Sequence, residues 1–149
     1  RGLSVLLLLL FGSCGPSAPP CFVPAYEDLS RWAPTPAELL PVCGVRTRAI
    51  LDAATATSTV LAKPYEGEAG AVVWVTARIL RMVGTGKLST NIVNNYLLGV
   101  GEPDSNGDAY VYARLPTGKA TINFLGEAGA EPLRFEVRDV LVLPLEVTQ

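Results

Sequence analysis

The residues that could do chemistry are informative first by what is missing. The chain contains no histidine. Neither a Ser-His-Asp nor a Cys-His nucleophile relay can therefore be assembled, and the commonest transition-metal ligand is absent. The carboxylates Glu66, Glu68, Glu102, Asp104 and Asp108 sit in glycine-rich stretches. Acid–base or glycosidic chemistry needs two of them to converge, and nothing in their spacing pairs them, so solvated loop charges are the plainer reading. Gly84-Thr85-Gly86-Lys87-Leu88-Ser89 approaches a phosphate loop but has Arg81 where the first glycine belongs and Leu88 where a magnesium-holding hydroxyl belongs. A turn between strands is expected instead. Asp104-Ser105-Asn106-Gly107-Asp108 spaces its oxygens like the start of a calcium loop, yet lacks the downstream bidentate Glu and misplaces the glycine. Asn106-Gly107 is itself a hairpin signal. The expectation is a non-enzyme with no cofactor and no metal.

The cysteines are structural candidates. Arg1–Gly12 is a positive end followed by an apolar run, Leu3 and Val5–Phe11, closing on the small residues Gly12-Ser13-Cys14-Gly15. The run is too short to span a bilayer and has the layout of a secretory signal peptide, 1–14, with cleavage possible up to 18. An alternative reads Phe11-Gly12-Ser13-Cys14 as an imperfect lipobox, which would place a lipid anchor on Cys14. With Cys14 removed, lipidated or left single, Cys21 and Cys43 remain as a pair. In an oxidising compartment they are expected to form a disulfide closing a loop of about 22 residues, worth about 3 kcal/mol in the chain-entropy model. Secretion to the extracellular space follows from this reading.

The elements that would position a site come next. The formal net charge is −2 and no polybasic run occurs, which argues against nucleic acid and against an electrostatic membrane patch. Residues 15–43 form a Pro-rich extended segment, expected to cross the domain surface and pinned by Cys21–Cys43, with one helical turn beginning at Thr35-Pro36. The domain proper is 44–149. Val45–Ala56 is Ala-rich and is the one stretch expected to form a short helix. Strands are expected at Thr57–Lys63, Ala71–Met82, Leu88–Gly99, Ala109–Leu115, Lys119–Leu125 and Leu133–Leu145, separated by Gly/Pro turns. The longest, Ala71–Met82, alternates Val73, Val75, Ala77 and Ile79 with Val72, Trp74, Thr76, Arg78 and Leu80. The first set is expected to fill an interior. Trp74, Arg78 and Arg81 are the candidate partner-binding residues, since exposed aromatics and arginines anchor interfaces. A Trp covering the end of a barrel, and arginines protecting an exposed strand face, are the structural alternatives. The fold class is thus mainly β, a small antiparallel closed barrel with one short helix.

Laid end to end, several of these runs resemble a netrin/TIMP-like module. They are Val72–Met82, the turn into Leu88–Leu98, Leu115-x-x-Gly118-Lys119 leading to Ile122-Asn123-Phe124-Leu125, and Glu131-Pro132-Leu133-Arg134-Phe135. The pattern is most similar to the version in the N-terminal region of agrin and some neuregulins. The resemblance covers roughly Thr57–Leu145. It implies an OB-like closed barrel with a helix at one end, in a secreted, non-catalytic module binding matrix proteins or receptors and forming the N-terminal part of a longer protein. A bacterial lipoprotein whose small β-domain binds an envelope or surface partner is the first alternative, and an inhibitor of a secreted protease the second.

Overall fold

The computed structural model describes residues 25–34, 36 and 38–145. Residues 1–14, where a signal peptide is expected, and Cys21 and Thr35 lie outside them. Period-2 alternation dominates this part of the chain and yields nine strands: β1 (Glu38–Val42), β2 (Val45–Ala53), β3 (Ser58–Glu66), β4 (Val72–Val83), β5 (Gly86–Asn94), β6 (Tyr96–Gly101), β7 (Asp108–Arg114), β8 (Lys119–Ala128) and β9 (Leu133–Leu145). All the strand pairs are antiparallel, so the small antiparallel all-β domain stands. The strands divide between a five-stranded sheet, β1-β2-β9-β4-β7, and a four-stranded sheet, β3-β8-β5-β6. Among the described residues no ladder joins the two, and the sheets face each other across one core.

β4 lies between β9 and β7, and its alternation decides what the core receives. Val73, Val75, Ala77 and Ile79 are all buried, as expected from their spacing. They meet Leu61, Ile92, Ile122 and Phe124 of the opposite sheet in one cluster. At one side of the sandwich the sheets nearly touch. A Cβ on Gly99 would stand 3.0 Å from the Tyr112 carbonyl oxygen, and one on Gly101 would collide with that of Tyr110. Glycine is what lets the β6 backbone lie this close to β7.

The opposite side is closed by residues 25–34. Glu27 N–H donates to the Val140 carbonyl (2.8 Å), and Ala33 and Ala62 exchange backbone hydrogen bonds. Lys63 reaches Glu27 at 2.7 Å. Between these ties a 3₁₀ turn, Leu29–Arg31, is capped by Asp28, whose carboxylate accepts from the Ser30 N–H. Those bonds hold the Asp28 carboxyl below its ordinary value, with the Ser30 side-chain bond the larger cause. The turn drives Leu29 and Trp32 into the core, where Trp32 lies against Phe124 at a ring separation of 5.2 Å.

Several expectations are corrected. Val45–Ala53 is not a helix but strand β2, hydrogen-bonded on both sides by β1 and β9. Thr47, Ala49, Leu51 and Ala53 point inward and the small alanines disguised the alternation. The 3₁₀ turn is the only helical element among the described residues. Glu38–Leu40 belong to β1, so no helical turn continues through them. Residues 25–34 do not merely cross the surface, because two of their side chains are core. Leu88–Gly99 is two strands, broken at Asn95, which takes φ 52°. Cys43 stands in the β1–β2 turn at φ 52°, and its expected partner Cys21 lies outside the described residues.

A candidate partner-binding face

The outward positions of the five-stranded sheet follow from register. Tyr112, Trp74 and Leu143 form one row across β7, β4 and β9, Tyr110, Thr76 and Leu141 the next, and Asp108, Arg78 and Arg138 the third. Arg138 is in turn opposite Arg48 of β2. Tyr110 and Tyr112 are each 59% exposed and Leu143 45%. The face therefore has an aromatic, aliphatic half and a charged half.

One residue divides them. β9 sets both Asp139 and Val140 against Ala77, since Thr76 pairs with Leu141 and Arg78 with Arg138. Asp139 takes φ 55° in this bulge. The extra residue reverses the phase of the strand. Val137 and Val140 both remain buried, while Leu141, Leu143 and Leu145 turn outward.

The aromatic rings interdigitate. Trp74 is nearly parallel to Tyr110 (5.6 Å, 10°) and to Tyr112 (5.5 Å, 13°). Two residues apart along a strand is about 6.8 Å, so a ring inserted midway lies about 3.4 Å from each plane. The spacing between strands, about 4.8 Å, supplies the lateral offset, and together these give about 5.9 Å. Rings side by side in one plane could not come within 5.6 Å, so the three are offset-stacked. Trp74 is packed against both tyrosines.

Beside the rings is a depression of about 350 Å³ bordered by Tyr26, Trp74, Arg78, Asp108, Tyr110 and Asp139. In the charged half, Glu136 receives Arg48 through both oxygens, Nε to Oε1 at 2.9 Å and Nη2 to Oε2 at 3.1 Å. This bond holds the Arg48 guanidinium above its ordinary value. Arg138 approaches Glu136 only to 3.7 Å and Asp139 to 3.6 Å. Arg78 donates from Nη2 to the Asn106 carbonyl at 3.2 Å and has Asp108 at 3.4 Å from Nε.

Of the expected contact residues, the structure unites Trp74 and Arg78 on this face and sets Arg81 apart. Arg81 donates to the carbonyls of Gly84 and Gly86 and fastens the β4–β5 turn. Tyr110, Tyr112, Leu143 and Arg138 were not singled out from the sequence. The alternation in Ala109–Leu115 could have flagged the tyrosines, but only register shows that they flank Trp74. The loop carboxylates do not converge. Asp104 accepts from the backbone N–H of Asn106 and Asp108, Glu102 pairs with Lys87 and Glu66 with Lys119. Among the described residues no group of three or more His, Cys, Asp or Glu could hold a metal ion. No helix there is long and apolar enough to cross a membrane.

The two sheets differ in cation type. Arg46, Arg48, Arg78, Arg81, Arg114, Arg134 and Arg138 all lie in the five-stranded sheet, whereas Lys63, Lys87 and Lys119 lie in the four-stranded one. Arginine, tryptophan and tyrosine are enriched at protein interfaces and lysine depleted. A second exposed apolar strip, Tyr96, Leu97 and Val100 on β6, lacks both the stacked rings and the arginines. No protein-family model matches the chain, and no curated protein matches it.

Proposed function

We propose that this protein is a secreted, non-catalytic binding module that engages an extracellular protein partner through the outer face of its five-stranded sheet. The observation that carries the reading is the concentration of Trp74, Tyr110, Tyr112 and the strand arginines on that one face. Pre-stacked aromatics lose little side-chain freedom on binding, which favours them as interface anchors. Export rests on the apolar N-terminal run, and a matrix or receptor partner is what the netrin/TIMP-like resemblance implies.

The test is site-specific photo-crosslinking in the native extracellular fraction. A benzophenone amino acid at Tyr112 is expected to capture a partner, and one at Val100 on β6 is not. Trp74→Ala should abolish the capture while leaving the circular dichroism spectrum intact. Equal capture from both positions, or capture from Val100 alone, would overturn the assignment.

A further inference from the structure

The geometry points to a partner that places a carboxylate side chain between Arg78 and Arg138, next to an apolar side chain seated against Trp74 and Tyr110. This rests on the binding-face reading above and adds the chemistry of the occupant.

Arg78 and Arg138 are directly opposite each other in the β4–β9 register. Like charges so placed repel, and the flanking Asp108 and Asp139 temper that repulsion from outside the pair. Neither carboxylate satisfies its neighbour: the Nε of both arginines is buried and has no hydrogen-bond acceptor. The nearest oxygens, Asp108 Oδ1 at 3.4 Å and Asp139 Oδ2 at 3.6 Å, are ion-pair contacts only. Arg48, next in the row, shows what a satisfied guanidinium looks like here, with Glu136 bound through both oxygens. That engagement leaves Glu136 to meet Arg138 at only 3.7 Å. The row therefore has two arginines whose Nε lacks an acceptor, and Arg78 borders a depression of about 350 Å³ that Trp74, Tyr110, Asp108 and Asp139 also line.

A buried donor without an acceptor is costly, and a planar carboxylate is the group that fits an arginine fork. An amide offers one acceptor oxygen where a carboxylate offers two. The charge of the face agrees. Arg46, Arg48, Arg78, Arg114, Arg134 and Arg138 slightly outnumber Glu38, Asp52, Asp108, Glu136 and Asp139, on a chain whose net charge is −2. An acidic, apolar protein segment complements that balance.

The experiment follows arginine Nε–H resonances of the ¹⁵N-labelled full chain during titration with acetyl-Phe-Gly-Glu-amide and with its Gln counterpart. The Glu peptide is expected to shift the Arg78 and Arg138 signals with a Kd on the order of 1 mM and to leave Arg48 unmoved. The Gln peptide should bind about tenfold more weakly. Arg78→Lys should weaken Glu-peptide binding about tenfold, because an ammonium cannot present a fork. Asp108→Asn, which removes a competing carboxylate, should tighten it about threefold. Equal binding of the two peptides, or equal shifts at Arg48 and Arg114, would overturn the proposal. So would shifts that follow protein concentration without peptide, which would give the face to a second copy of the chain. If neither peptide binds while Tyr112 still captures a partner, the acidic chemistry is wrong and the face stands. If both experiments fail, the binding face falls with it.

Discussion

Replacing Trp32 with alanine tests whether residues 25–34 are part of the folded unit. Trp32 is 2% exposed and packs on Phe124. A fully buried indole removes about 200 Å² from water, worth about 5 kcal/mol at 25 cal/mol per Å². Its Nε1–H is buried without an acceptor, which takes back about 2 kcal/mol. The remainder, about 3 kcal/mol, is at the lower end of the usual cost of Trp→Ala in a core. Against a typical total of about 5–15 kcal/mol, that loss would be large. Urea unfolding followed by far-UV circular dichroism should therefore show Trp32→Ala destabilised by about 3 kcal/mol with an unchanged slope. Trp32→Phe keeps a ring against Phe124 and discards the orphan donor, so it should cost less than about 1.5 kcal/mol. A Trp32→Ala midpoint within about 0.5 kcal/mol of the parent protein, the range of ordinary surface substitutions, would refute the plug.

Gly101→Ala should destabilise by about 1–3 kcal/mol in the same assay, because the new methyl meets the Tyr110 carbonyl and pushes β6 from β7. Gly44→Ala has open space around it at φ 78°, so any loss there reports backbone conformation alone. Ala56 holds φ 57° in the β2–β3 turn, a left-handed conformation costing an L-residue about 1–2 kcal/mol. Ala56→Gly should therefore raise the thermal midpoint. The Asp28 carboxyl is held below its ordinary value of 3.8 by the Ser30 bonds. Its contribution is present above that value and is lost as pH falls through the lowered one. Stability curves of the parent and Asp28→Ala should accordingly converge on acidification below about pH 4.

Most strands were legible because apolar and polar residues alternate over stretches long enough to exclude a helical period. β2 is hidden where Ala49 and Ala53 weaken that contrast, since alanine suits a helix and the tight interior of a sheet equally. Residues 25–34 show no periodicity, so composition spoke for proline-rich surface chain. Leu29 and Trp32 enter the core one at a time, without a face to announce them. At the binding face, Trp74 and Arg78 were readable as even-numbered, outward positions of β4. Arg81 has the other parity, and the alternation could have separated it from the other two. The tyrosines and Arg138 join the face through pairings between distant segments, which no local pattern encodes.

The Asp139 bulge has a consequence for how such a face can change over time. Substitution alters one side chain, but removing one residue at this point would exchange the orientations of every side chain from Leu141 to Leu145. The leucines would turn toward the opposite sheet and Val142 toward solvent, while β4 and β7 kept their register. A single-codon deletion here would thus erase the aliphatic side of the surface while leaving its aromatic side intact. Lineages that lose or gain this one residue should differ in what they bind far more than their sequence identity suggests.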